Sequence, residues 1–203
     1  TGVITHKGQP VTIDSPMKAI ELGICLLTEN RKEEGLFLDM SVKENITIPS
    51  LKRFMTAKFV PLLSSKSENR AAQEFIEKVN VILTTAAAKV RTLSGGNQQK
   101  TILARWLLRD LEILVFIEPT RGIDVGAKAE IYRGLDQLAQ EGQGIIIVSP
   151  ELNEILGMSD RILAMHEGRL IRAFDRAEAT EELLSAVIQG TTNGKAPQAS
   201  SEN

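Results

Sequence analysis

Residues 93–100 read Leu-Ser-Gly-Gly-Asn-Gln-Gln-Lys, and apolar side chains recur at helical spacing in the residues that follow. Ser94 is a residue type favoured at helix N-caps, and the two glycines after it let a ligand approach the backbone. Ile102, Leu103 and Trp106 give the predicted helix one apolar face. Unpaired amides at a helix N-terminus attract anions, so the pattern fits a phosphate-binding helix. It also fits an ordinary capped helix without a ligand.

Apolar strands and helices alternate around this segment. The runs 24–27 and 113–117 are too short for helices and are interpreted as buried strands. A helix is predicted over 125–140 and a strand over 145–148, and helix and strand patterns continue to a last helix over 180–188. This alternation predicts an α/β fold built on a parallel sheet.

The pattern also predicts how the chain is organised. We expect four regions, namely residues 1–40, 41–110, 111–190 and 191–203. The first opens with a hairpin signal around residues 6–10 and ends in a charged loop. The second is mostly helical, with breaks at Pro49 and Pro61, and is expected to form a helical subdomain. The third continues the α/β core, and the fourth is polar and predicted to be disordered.

Composition excludes several classes of protein. The 24 basic and 26 acidic residues give a net charge of −2, which provides no general attraction to nucleic acid. The longest apolar run is far shorter than the roughly 20 residues that cross a bilayer. A lone Cys25 forms no internal disulfide, so a reducing, cytoplasmic setting is expected. The chain begins at Thr1, and we expect it to start inside a larger protein.

Residues 93–97 resemble the LSGGQ signature of the ABC-type ATPases, with Asn97 in place of the usual Gln. The longer form LSGGNQQK is similar to the second nucleotide-binding half of the fused ATP-binding proteins of ribose, galactoside and xylose importers. Downstream, residues 113–128 end in EPTRGIDVGAK and resemble the Walker B strand, catalytic glutamate and D-loop of that group.

Two upstream segments extend the resemblance. Residues 29–36 (ENRKEEGL) are similar to the EDRK-x-x-GL loop of the group, and residues 41–46 (SVKENI) resemble its SV-x-ENI segment. The four motifs occur in the family's order and spacing, and the resemblance covers roughly residues 1–190. The resemblance therefore implies a RecA-like P-loop ATPase core of the ABC type, present in part, with a helical subdomain.

The resemblance also implies functional residues. In this family two halves pack head to tail, and the signature of one half closes over ATP on the phosphate loop of the other. The implied signature contacts are Ser94, Gly95, Gly96, Asn97 and Gln98. Glu118 matches the general base that orients the attacking water, or is a surface glutamate. Asp124 matches the D-loop acid and also fits a helix N-cap, and Glu29 matches the Q-loop position or belongs to a solvated loop.

The sequence departs from the family pattern at three places. It contains no G-x-x-x-x-G-K-[ST] phosphate loop. The position of the Walker B aspartate holds Ile117, and an aliphatic side chain offers no oxygen to Mg²⁺. Ser149 and Pro150 stand where most members carry a switch histidine. These departures predict a truncated or hydrolysis-impaired half, and no residue is assigned to a metal.

The expected function is the energy-coupling, ATP-binding component of a carbohydrate importer, with ATP and Mg²⁺ as the implied ligands. Its implied partners are a second nucleotide-binding half, transmembrane permease subunits and, indirectly, a periplasmic sugar-binding protein. Its implied place is the cytoplasmic face of the inner membrane. A noncatalytic half that only supplies a signature surface is the alternative. A soluble ATPase acting on nucleic acid or ribosomes is disfavoured by the acidic charge balance.

Overall fold

The computed structural model describes residues 2–56, 62–109 and 111–190. The predicted break at Pro61 and the predicted tail lie outside the described residues. The strands are β1 (Ile4–His6), β2 (Gln9–Val11), β3 (Ile24–Leu27), β4 (Ile113–Ile117), β5 (Gly144–Val148), β6 (Arg161–His166) and β7 (Arg169–Asp175). The α-helices are α1 (Pro16–Glu21), α2 (Val42–Thr47), α3 (Ser65–Lys78), α4 (Gly95–Leu107), α5 (Val125–Gln140), α6 (Leu152–Met158) and α7 (Glu181–Ile188).

The chain divides into two compact units between Val148 and Ser149. In the first unit, β1 and β2 form the predicted antiparallel hairpin around a turn at Lys7 and Gly8. Both turn residues have positive φ, 50° and 76°, as a two-residue hairpin turn requires. Ser15 caps the following helix α1, since its side chain accepts a hydrogen bond from the backbone amide of Lys18. The proposed domain boundaries remain a prediction.

A three-stranded parallel sheet in the order β3-β4-β5 forms the centre of this unit. One of its faces is covered: Cys25, Leu114 and Phe116 on that face are at most 4% exposed. Phe116 lines one cavity together with Leu103 of α4 and Leu138 of α5, which places both helices over this face. The predicted parallel α/β arrangement is therefore confirmed for these three strands.

The other face of the sheet is open. Leu26, Ile146 and Val148 lie on it and are 47%, 50% and 53% exposed. Val115 and Ile117 of the central strand are half-buried on the same face. The prediction of fully buried strands is wrong for this face, because the described residues place no helix over it. Parallel sheets are ordinarily covered on both faces. In the described part of the chain this apolar face lacks such a cover.

A buried arginine connects α4 to α2 and to the segment that follows β3. Arg105 of α4 is 6% exposed, and its guanidinium donates to the carbonyl oxygens of Asn45 (2.6 Å) and Gly35 (2.5 Å) and to Asn45 Oδ1 (2.8 Å). The Asn45 amide in turn donates to Phe37 O at 2.9 Å. Burial lowers the pKa of Arg105 to about 10. The segment that resembles SV-x-ENI is thus anchored to the signature helix through Asn45.

The second unit has its own core. Strands β6 and β7 pair antiparallel with each other through a turn at Glu167 and Gly168, both of which have positive φ. A two-residue turn of this kind joins antiparallel strands, and β6 and β7 form a two-stranded sheet separate from the parallel one. Ile162, Phe174 and Leu184 are buried between this hairpin and α7.

Cys25 lies on the covered face of the sheet and is 4% exposed. Burial raises the pKa of its thiol to about 12. Because the thiolate is the reactive form of cysteine, this side chain is chemically inert in the folded chain. Among the described residues, no helix is long and apolar enough to cross a membrane.

Candidate functional site

The N-terminus of α4 is built as the sequence predicts. Ser94 is exposed and caps the helix, accepting hydrogen bonds from the Asn97 backbone (3.4 Å) and the Asn97 side chain (3.1 Å). Asn97 Oδ1 also accepts from the backbone of Ile82 at 2.8 Å. In the described part of the chain, the amides of Gly95 and Gly96 donate to no hydrogen bond. The helix start therefore has two unpaired donors of the kind that bind phosphate, at the half-buried Gly95 and the buried Gly96.

Arg31 lies directly beside this helix start. Its guanidinium donates to Arg121 O (2.9 Å), Gly122 O (3.5 Å) and Gln98 Oε1 (3.4 Å), which joins three separate segments of the chain. A Cβ at Gly95 would lie 2.5 Å from Arg31 Nη2 and 3.3 Å from Gly122 O, so the glycine allows the guanidinium to approach the helix start closely. Burial lowers the pKa of Arg31 from its usual value. Its positive charge adds to the positive end of the helix dipole at the same place.

Glu118 follows β4 in a left-handed backbone conformation, with φ at 46°. Such a conformation is unfavourable for a non-glycine residue and is often found at functional sites. The Glu118 amide donates to Val148 O at 2.8 Å and so extends the sheet by one residue. Arg121 places its Nε 3.6 Å from the Glu118 carboxylate and its Nη1 2.8 Å from that of Glu29. One arginine therefore links the proposed base to the loop after β3.

Asp124 caps α5, since its side chain accepts a hydrogen bond from the Ala127 backbone at 2.9 Å. The start of this helix packs against the start of α4, where a Cβ at Gly96 would lie 2.8 Å from the Ala127 Cβ. The N-cap interpretation of Asp124 is thereby confirmed. Its role at an interface between halves remains a prediction.

All eight candidate residues lie in the first unit and are joined through the contacts around Arg31, Arg121 and Ala127. The sequence did not single out Arg31 or Arg121 as functional, although both lie within quoted motifs. The signal that identifies them is tertiary: each contacts residues about 90 positions away.

The last position of β4 offers no side-chain oxygen to a metal ion. Among residues 2–56, 62–109 and 111–190, no three acidic, histidine or cysteine side chains cluster as metal ligands. Ile117 ends β4 on the open face of the sheet, paired in register with Val148, and contributes only carbon. Ser149, at the switch position, belongs to the second unit, where its hydroxyl accepts from the Glu151 backbone at 3.1 Å.

Replacing Gly96 by Ala is expected to lower the free energy of unfolding by about 1–3 kcal/mol, because the added methyl group clashes with Ala127. The double variant Gly96→Ala with Ala127→Gly removes the clashing carbon and should recover part of this loss. Gly134→Ala is the control, since its Cβ makes only an ordinary contact and should stabilise α5 by about 0.5–1 kcal/mol. Urea unfolding of the three variants measures the differences, and equal effects of Gly96→Ala and Gly134→Ala would contradict the packing described.

Comparison with known proteins identifies the family. The ABC transporter family model matches residues 1–121, which is more than half of the chain. A putative ribose/galactose/methyl galactoside import ATP-binding protein from Rhizobium etli is 47% identical over 93% of this chain. The ribose import ATP-binding protein of Lactococcus lactis is 45% identical over 96% of it. The chain spans 36% and 38% of the length of these two relatives.

Solved structures establish the fold. The dimeric, post-hydrolysis ATP-binding cassette MJ0796 bound to ADP and Pi aligns with a TM-score of 0.68 at 20% identity, covering 84% of this chain and 71% of that one. The ADP conformation of the cassette MJ1267 aligns with a TM-score of 0.66 at 20% identity, covering 90% and 71%. The fold is that of an ATP-binding cassette, with the RecA-like P-loop architecture, and the chain belongs to the ABC transporter family.

Proposed function

We propose that this chain is part of the ATP-binding, energy-coupling component of a carbohydrate importer, in which its signature surface closes on ATP held by a second nucleotide-binding half. The observation that carries the proposal is the joining of the signature helix, Arg31 and the loop after β4 into one network. In this network Ser94 and the amides of Gly95 and Gly96 would face the phosphates of ATP. Glu118 would be the general base.

Each group has a defined task in this proposal. The helix start and the Arg31 charge bind the terminal phosphate of the substrate ATP through unpaired donors and the helix dipole. Glu118 accepts a proton from the attacking water or orients it. The hydrogen bonds of Arg31 connect the signature helix, which would face the ATP of the second half, to the loop 121–122 that follows Glu118.

The open face of the sheet supports a phosphate loop supplied by another segment of a longer polypeptide. Strands β3, β4 and β5 follow one direction, with α4 and α5 on the same face. From β3 to β5 the chain moves across the sheet in one direction. A strand added beyond β5 and followed by a helix that leads to β3 would move across the sheet in the opposite direction. Right-handed crossover connections then require the helix on the opposite, open face. The loop between this strand and helix would lie at the sheet edge that carries Glu118, where α/β folds bind nucleotides.

The substrate class and the partners are part of the same proposal. Relatives named as ribose or galactoside import ATP-binding proteins favour a sugar as the transported molecule. The chain then works at the cytoplasmic face of the membrane through permease subunits, with a periplasmic sugar-binding protein as an indirect partner. We infer no nucleic-acid partner, given the net charge of −2.

A noncatalytic half is the second candidate, and Ile117 is the observation that favours it. Ile117 places no side-chain oxygen at the last position of β4, where the family pattern has an aspartate that supports Mg²⁺. This half would still present Ser94 and the following glycines to the site of a partner. The two candidates therefore share the signature surface and differ only in whether Glu118 acts on ATP.

Association with an intact nucleotide-binding half tests the shared part. Analytical ultracentrifugation should show that ATP promotes the complex and that Ser94→Arg weakens it at least about tenfold, because the new side chain occupies the phosphate position. Ser67→Arg, at another exposed serine, is the matched control and should leave association unchanged. Association that ignores ATP, or that responds equally to both substitutions, would refute the proposal.

A further inference from the structure

Asn97 lies in the first turn of α4, between the capping serine and the loop that follows α3. Its Oδ1 accepts a hydrogen bond from the backbone amide of Ile82 at 2.8 Å, and its Nδ2 donates to Ser94 Oγ at 3.1 Å. A backbone amide can only donate, so the side-chain atom of Asn97 that faces Ile82 has to be the oxygen. The orientation of the Asn97 amide is therefore fixed, with its NH₂ group directed at Ser94.

The loop that orients this side chain is itself held on two helices. Lys100, about one turn further along α4, donates from its ammonium to Asn80 O at 2.8 Å. The backbone amide of Val81 donates to Ile76 O of α3 at 2.9 Å. The Ile82 amide is thus presented to the signature helix by a backbone segment with contacts on both α3 and α4.

The two hydrogen bonds that Ser94 accepts determine what its hydroxyl can still do. A serine oxygen has two lone pairs and carries one hydrogen. The backbone amide and the side-chain amide of Asn97 donate to this oxygen, at 3.4 Å and 3.1 Å, and so occupy both lone pairs. Because Ser94 is exposed, its O–H group remains as a donor at the surface of the helix start. Phosphate oxygens, which are strong acceptors, match such a donor.

We propose that Asn97 is a positioning residue for the signature serine, which occupies the Ser94 oxygen and so turns the hydroxyl hydrogen toward the terminal phosphate of ATP. Asn97 then acts through Ser94 and does not itself bind the nucleotide. The assignment rests on the function proposed above and adds the loop at Ile82 to the signature surface, because that loop orients the Asn97 amide.

A double-mutant cycle on the ATP-promoted association with an intact nucleotide-binding half tests the assignment. Asn97→Ala and Ser94→Ala should each weaken the complex about tenfold, and the double variant should also be about tenfold weaker rather than a hundredfold. The reason is that both substitutions remove the same hydrogen bond, from Ser94 to the phosphate. Asn153→Ala, at an exposed asparagine of α6, is the matched control and should leave association unchanged.

Asn97→Asp guards against a folding defect, because it has the same size and keeps an oxygen for the Ile82 amide. Its carboxylate cannot donate to Ser94, so it should weaken ATP-promoted association about tenfold more when Ser94 is present than in the Ser94→Ala variant. A merely structural role of Asn97 would give equal effects in both backgrounds. Equal effects, or additive effects of Asn97→Ala and Ser94→Ala, would overturn the assignment alone. Association that ignores ATP in the unaltered chain would refute the proposed function, and the assignment with it.

Discussion

The Arg105→Ala variant should lose about 3–5 kcal/mol of the free energy of unfolding, because three hydrogen bonds from one buried cation are removed together. The carbonyl oxygens of Gly35 and Asn45 then remain buried without a donor. Asn45 is fully buried, so its oxygens are poorly placed to recover partners from water. Urea unfolding followed by circular dichroism measures the change.

Two control variants separate the contribution of these hydrogen bonds to the free energy of unfolding from that of the positive charge. Arg105→Lys keeps a cation but not the planar fork of donors, and should recover only part of the loss. Arg133→Ala removes an exposed arginine, which donates to a backbone carbonyl of its own helix, and should stay within about 0.5 kcal/mol of the unaltered chain. Equal destabilisation by Arg105→Ala and Arg133→Ala would show that Arg105 does not anchor the helical region.

The described chain by itself should hydrolyse ATP no faster than its Glu118→Gln variant. No phosphate-loop sequence is present in it, and Ile117 stands where the family pattern has the aspartate that supports Mg²⁺. Without these groups the γ-phosphate is not positioned, and phosphoryl transfer depends almost entirely on positioning and charge stabilisation. A phosphate-release assay measures the rates, and Mg²⁺-dependent turnover that Glu118→Gln abolishes would contradict this prediction.

The same assay distinguishes the two candidate functions in a polypeptide where a phosphate loop precedes this chain. If Ile117 alone blocks metal binding, Ile117→Asp should increase Mg²⁺-dependent turnover, and adding Glu118→Gln should lower it again by about 10²–10⁴-fold. Ile117→Asn, of similar size and uncharged, is the control and should gain far less. No gain in Ile117→Asp would favour the noncatalytic half.

The sequence predicted the local structure well where short-range signals decide it. Ser94 and Asp124 cap the helices that their positions indicated, and the bounds of β3, β4 and α5 match the predicted ones. Each of these features depends on a few neighbouring residues. Capping and apolar periodicity are therefore sufficient to place them.

The remainder depends on contacts between distant residues. Arg31 reaches Arg121 O across 90 positions, and Arg105 reaches Asn45 across 60, and no local pattern encodes either pairing. The exposure of Leu26 on β3 was also not predicted, since a short apolar run indicates burial without saying on which face. The candidate site could be named from motifs, whereas the arginines that join its parts required the fold.

The most direct measurement uses a thiol introduced by Ser94→Cys. Cys25 is buried with its pKa raised to about 12, so the new thiol is the reactive one in the folded chain. Maleimide labelling should be rapid in the isolated chain and slow at least about tenfold when an intact half and ATP are added together, but not with ADP. Labelling at position 94 that is unaffected by the partner and ATP would contradict a signature surface that closes on a partner's nucleotide.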